Sequence, residues 1–173
     1  MLSVPGRSLF LNEDLYSGQL DAEQYLDSAL AILSRLCEEF SSVLFKFHPR
    51  ETAEWRRRIC ERVLSRLPGV QVIKSNAGIE DIVDQYRPSI AVSYLSAGLL
   101  NLLYRGVEPL YIYHLFPELR DQPLYRETTE ILRTQGYNFV PSIAAISASY
   151  RSGLGIAPMA AEATSLRALA GSA

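Results

Sequence analysis

The chain has few cysteines, no excess of either charge and no long apolar run, and each shortage removes a class of protein. Two of its 173 residues are cysteines. Cys37 and Cys60 both fall in predicted helices and have no metal-ligand spacing, so neither a disulfide framework nor a cysteine-ligated metal is indicated. They read as two reduced thiols in a cytoplasmic protein, with a single disulfide between them as the alternative. Lysine and arginine total 17 against 19 acidic residues, a net charge of -2, and there is no basic tail. Nucleic-acid binding is therefore not expected. No apolar run reaches the roughly 18 residues a membrane span needs. Met1 to Arg7 show neither the apolar core nor the charged start of an export signal, so none is expected. No repeat of fixed period is present. Glycine spacing fits neither a P-loop nor a dinucleotide fingerprint.

What is present is a regular alternation. Ser8–Leu11 reads as a buried strand with Asn12, Glu13 and Asp14 at its carboxyl end. Asp21 is a plausible N-cap, with Gln24 in the capping-box position. Tyr25, Leu26, Ala29, Leu33, Leu36 and Phe40 then repeat at helical spacing, as the core face of a helix over 22–40. Thr52 caps a second helix, 53–67, whose Arg56, Arg57 and Arg58 read as a solvated face with i,i+4 pairs. Pro68-Gly69 stops it, and a strand follows over 70–74. A short helix over 79–86 carries Glu80, Asp81 and Asp84. Ser89–Ser93 is a strand that turns through Tyr94-Leu95-Ser96-Ala97-Gly98 into an apolar helix over 99–104. Small residues at such a turn let an anion approach free backbone N–H groups. Leu110–Tyr113 is a strand ending at His114, which reads as a packed or surface histidine. A helix over 124–135 stops at Gly136, and Phe139-Val140 is a candidate short strand.

This order predicts an α/β protein: a single Rossmann-like domain over 1–140, with a parallel sheet and helices on both faces. Residues 141–173 form an Ala/Ser-rich tail, read either as one more helix near 157–170 or as partly disordered.

Within this frame Val43 to Glu51 stands out. A buried strand, Val43–Phe47, runs into Pro49, which cannot extend a ladder and holds His48 extended. His48 therefore sits at a strand's carboxyl end, where open α/β sheets bind ligands. Lys46, His48 and Arg50 alternate, so in extended geometry they point one way, as an anionic ligand such as a phosphate needs. The plainer alternative is a strand end with ordinary surface charges.

Leu44-Phe45-Lys46-Phe47-His48-Pro49-Arg50-Glu51 resembles the His-Pro segment of bacterial sialyltransferases, closest to the capsular polysialyltransferase and lipooligosaccharide sialyltransferase families. Ser8–Leu11 with Leu20–Tyr25 is similar to the opening of their donor-binding half. Val92–Leu99 resembles their serine-pair motif. The likeness spans roughly residues 8–115.

The resemblance implies one half of a GT-B glycosyltransferase, a donor domain that binds CMP-sialic acid without a metal or other cofactor, in capsule or lipooligosaccharide synthesis. His48 would contact the CMP phosphate and assist its departure, with Pro49 fixing the backbone. Lys46, Arg50 and Ser96 would help hold the phosphate, and Glu80 would receive the ribose hydroxyls. Two departures stand out. The family's adjacent serines are Leu95-Ser96 here, with Ser93 the substitute. The family's acidic-acidic-glycine base motif belongs to the acceptor half; its nearest counterpart is Glu13-Asp14 followed by Leu15. A glycan acceptor would then come by way of a separate domain, and an exposed interdomain face would favour self-association. The expected location is the cytoplasm, peripheral at the inner membrane face. Two alternatives remain: a non-catalytic nucleotide-binding module derived from such a domain, or a GT-B half using another nucleotide sugar.

Overall fold

Five parallel strands form the centre of the molecule in the order β3-β2-β1-β4-β5. The computed structural model describes residues 6–15, 18–73, 76 and 78–154. The strands are β1 (Arg7–Leu11), β2 (Ser42–Lys46), β3 (Val70–Ile73), β4 (Ile90–Ser93) and β5 (Glu108–Tyr111). The helices are α1 (Ala22–Glu39), α2 (Ala53–Arg62), α3 (Ile79–Tyr86), α4 (Gly98–Asn101), α5 (Pro117–Arg120) and α6 (Pro123–Thr134). This is the single Rossmann-like α/β domain that the alternating pattern predicts.

The central strands are apolar on both faces because helices cover both. Leu9, Phe10, Leu44, Phe45, Ala91 and Val92 are fully buried. Leu9 stands beside Leu44 on one side and Ala91 on the other, and Phe10 beside Phe45 and Val92. β3, at one edge, leaves Gln71 exposed, as a strand with one free side allows.

Local chemistry starts the helices as expected, with one change. The Asp21 carboxylate accepts from the N–H groups of Glu23 and Gln24 at the head of α1. Gln24 does not complete the capping box. Its amide instead donates to Glu118 at 3.0 Å, joining α1 to α5. Thr52 caps α2 by accepting from Trp55 N–H. That helix stops at Arg62, short of the expected Leu67, and a 3₁₀ turn over Leu64–Arg66 completes the segment. Of its arginines, Arg57 pairs with Glu61 four residues on, as read. Arg58 and Arg62 reach instead to Glu23 on α1, at 3.0 and 2.7 Å. The apolar helix expected over 99–104 is one turn of α-helix followed by a 3₁₀ segment, Leu102–Arg105.

β5 lies two residues earlier than expected and contains Pro109. An edge strand tolerates this, since alternate N–H groups face outward and proline has none to offer there. Tyr137 closes that edge: Tyr111 N–H donates to the Tyr137 hydroxyl at 2.8 Å, and that hydroxyl faces the Pro109 carbonyl at 3.3 Å. Phe139-Val140 form no strand. The segment is fixed by side chains instead. The Phe139 ring packs on Tyr137 and His114, and His114 Nε2–H donates to the Val140 carbonyl at 2.6 Å. His114 is thus a packed histidine.

The described part of the tail also packs on the domain. Ile146 is fully buried, and its carbonyl accepts from Arg35 of α1. Ser152 N–H donates to Glu108 at the start of β5. Gly153 is required there: its φ is +76°, and a Cβ would meet the Gly136 carbonyl oxygen at 2.8 Å. The helix expected near 157–170 lies outside the described residues. Cys37 and Cys60 are free thiols. No helix among the described residues is long and apolar enough to cross a membrane.

Candidate functional site

The strand order dictates where a cleft can open. From β1 the chain winds to β2 and β3 on one side, then crosses back to β4 and β5 on the other. The helices therefore diverge between β1 and β4, and a crevice forms at the carboxyl ends of those strands. The cleft found there has a volume of ≈ 540 Å³. Its walls come from four loops: Asn12–Asp14 after β1, Phe47–Arg50 after β2, Gly78-Ile79 at the start of α3, and Leu95–Ala97 after β4.

Lys46, His48, Pro49 and Arg50 all line this cleft. They do so by a turn rather than by the extended alternation expected. β2 ends at Lys46 and the chain folds at Pro49-Arg50, with Glu51 N–H donating to the His48 carbonyl at 3.1 Å. The physical reason is that Pro49 ends the ladder and presets the turn angle. Arg50 N–H in turn donates to His48 Nδ1 at 3.3 Å, which leaves the imidazole's other nitrogen as the group free to address a ligand.

The cations meet a carboxylate inside the cleft. Asp14 lies 3.8 Å from His48 Nδ1 and 3.6 Å from Arg50 Nε. These are ion-pair distances, longer than hydrogen bonds, and the Arg50 side chain is 76% exposed, so the pairing is weak. Burial pushes the His48 pKa below its ordinary value, and Arg50 and Lys46 push the same way, while Asp14 opposes them. An anion arriving between these groups would reverse that balance and favour the imidazolium.

Glu13 does different work from its neighbour. Its Oε1 accepts from the Leu95 N–H at 2.7 Å and meets the Ser93 hydroxyl. It therefore ties the end of β1 to the end of β4 across the switch point. Burial raises its pKa, partly offset by those hydrogen bonds. Ser93 is fully buried, and its hydroxyl is held by Glu13 and the Leu11 carbonyl, so it does not face the cleft. Ser96 does line the cleft, and its carbonyl accepts from the Tyr111 hydroxyl. Glu80 is exposed in the first turn of α3, next to the cleft residues Gly78 and Ile79 but outside the lining. Leu95 N–H, one backbone donor of the turn, is already taken by Glu13. No group of histidine, cysteine and acidic residues suited to a metal occurs among the described residues.

Three residues that sequence reasoning left out sit beneath this cleft. Asn12 is buried, its amide donating to Glu51 and its oxygen meeting the Tyr25 hydroxyl. Glu51 is 6% exposed, although it follows a surface turn. Tyr25 reads only as core in a helical repeat. Nothing local marks Glu51: a glutamate before a helix cap is ordinarily solvated, and here it is buried against Asn12, 39 residues away in the chain.

Compared with protein-family models and with curated proteins, the chain matches none of them.

Proposed function

We propose that this domain binds the donor of a glycosyl transfer, a sugar carried on a nucleoside monophosphate, of which CMP-sialic acid is the best-fitting example. One observation carries the reading: Lys46, His48 and Arg50 on one side and Ser96 on the other line a single cleft at the β1–β4 switch point. A phosphate seated there accepts from the lysine, arginine and serine, and from His48 Nε2–H. During transfer the bond from the anomeric carbon to the phosphate oxygen breaks, and the electron pair stays on that oxygen. His48 stabilises the charge that develops, by hydrogen bond or proton donation. The acceptor hydroxyl forms the new bond and gives up its proton. Asp14 takes it in this reading, because Asp14 faces the cleft while Glu13 is engaged with Ser93 and Leu95. Glu80 holds its carboxylate against Gly78 of the cleft wall, and in this reading it receives the ribose hydroxyls from there.

Calorimetric titration with CMP tests the reading. Binding by the intact protein, weakened about tenfold or more in His48→Ala, is the expected result. No binding overturns it, and preference for UDP or GDP redirects it to another nucleotide sugar. A binding module without transfer activity is the second reading, favoured by Leu95 where a second phosphate-binding serine is expected. CMP binding with no donor hydrolysis or transfer selects it. In the transfer reading Asp14→Asn abolishes turnover while CMP still binds.

A further inference from the structure

Two hydrogen-bonding arrangements fit the contacts beneath the cleft, and they differ by one proton. The Tyr25 hydroxyl carries one hydrogen but faces two acceptors, the Asn12 side-chain oxygen and the Glu13 carbonyl at 2.9 Å. Glu51 Oε1 meets the Asn12 amide, and Glu51 Oε2 is buried with no partner of hydrogen-bonding geometry. With Glu51 ionised, Asn12 donates to Glu51 and Tyr25 donates to Asn12. The Tyr25 hydroxyl then serves Asn12 and not the Glu13 carbonyl, and a carboxylate is buried. With Glu51 protonated, the Asn12 amide turns over at the same atomic positions. Glu51 then donates to Asn12, Asn12 to Tyr25, and Tyr25 to the Glu13 carbonyl. Each of those contacts has one donor and one acceptor, and no charge is left in the interior.

The same atoms hold the ligand loops. Glu51 N–H closes the His48–Arg50 turn, and Asn12 N–H donates to the Lys46 carbonyl at 3.0 Å. The chain from Glu51 through Asn12 to Tyr25 therefore pins the ends of β1 and β2 against α1. We propose that Glu51 is a positioning residue that carries a proton in the folded protein, and that this proton keeps the His48 turn closed and the cleft floor neutral for an anionic ligand.

The surroundings agree. Burial raises the Glu51 pKa to about 7, and Asp14 after β1 adds to the rise. The Asn12 amide, the His48 backbone N–H and Arg56 on α2 oppose it, in that order, without cancelling it. Tyr25 on α1 is kept protonated chiefly by its own burial. Loss of the Glu51 proton adds a third negative charge beside Glu13 and Asp14, under the place assigned to phosphate. Anion affinity then falls as pH rises.

The ligand consequence rests on the nucleotide reading, whereas the proton does not, so the test is run first on the protein alone. Infrared spectroscopy at about pH 6 reads protonated carboxyls directly, and Glu51→Gln identifies the one that belongs to Glu51. The expected result is a protonated-carboxyl band that the variant lacks. The wild-type thermal midpoint falls between about pH 5 and 8, and that fall is absent in the variant. Glutamine is the isostere of the neutral acid and fits the protonated chain, so a Glu51→Gln protein that fails to fold overturns the proposal. An unchanged band, or an unchanged pH slope, does so as well. A second arm compares CMP affinity at about pH 8, where the variant should bind more tightly than wild type. Failure of both proteins to bind CMP removes the nucleotide reading and leaves the band and the slope as they were.

Discussion

The two ends of the same sheet handle charge in opposite ways. At the amino end a cavity of ≈ 430 Å³ is lined by Asp84, Arg87, Ser89 and Arg105. There the partners are supplied by the fold. Arg105 Nη1 meets both oxygens of Asp84, at 2.5 and 2.6 Å, Arg7 donates to the Tyr86 carbonyl, and Ser89 to the Arg7 carbonyl. At the carboxyl end Lys46, His48 and Arg50 line a cleft with Asp14, which lies 3.8 Å from His48 Nδ1 and 3.6 Å from Arg50 Nε, and Glu51 is buried below. A cavity alone therefore says little. What separates the ends is that His48 and Arg50 stand at ion-pair and not hydrogen-bond distance from Asp14 in an open cleft, whereas Arg105 is hydrogen-bonded to Asp84.

This contrast can be broken by mutation. The largest effect is expected from Asn12→Ala, which leaves both Glu51 and Tyr25 without their shared partner. It should cost roughly 3 kcal/mol, seen as a lower denaturant midpoint. A loss no larger than that of a surface mutant would mean the floor network contributes nothing.

The pH dependence comes next. The folded Glu51 pKa of about 7 lies above its ordinary value of 4.5, so the native state binds more protons between these values. Stability is then fully supported below about pH 4.5 and falls as pH rises toward 7, by roughly 3 kcal/mol in all. His48 acts with the opposite sign. Its pKa is lowered from 6.5, so stability rises with pH as that window is crossed, and the same holds for His114. Denaturation curves across pH should show a net fall in wild type. In Glu51→Gln they should show only the histidine rise, together with what remains of the Glu13 contribution.

A smaller effect is expected on ligand binding from the exposed cation. Arg50→Ala should weaken CMP by about three- to tenfold in calorimetry, less than His48→Ala, because its solvated side chain is only weakly fixed. Equal losses for the two variants would make the cleft a diffuse cation patch. At the other end, Asp84→Asn should leave the thermal midpoint unchanged within error. A measurable loss there would mean the exposed pair with Arg105 matters to folding, and the contrast between the ends would shrink.

Much of this architecture could be read before any coordinates. Apolar strands ending in Pro, Gly or acidic residues, and the caps Asp21 and Thr52, are local signals whose physics acts within a few residues. His48 could be placed at a strand's carboxyl end because Pro49 ends the ladder wherever the strand pairs. Readings failed where a distant partner competed with a local rule. Gln24 exchanges its capping-box bond for Glu118, Arg58 and Arg62 reach to Glu23, and Phe139-Val140 pack by their side chains instead of joining the edge that Tyr137 already occupies.

The element types, the sheet class and the strand-end position of the cation cluster follow from periodicity and from proline's covalent geometry, and so are local. The strand order β3-β2-β1-β4-β5, and with it which strand ends meet, is set by long-range packing. That meeting separates Glu13 from Asp14, turning one into a tie across the crevice and leaving the other facing it. It also buries Glu51 on Asn12. Whether a carboxyl is solvated or buried depends on groups far away in the chain, and so does whether it holds a proton.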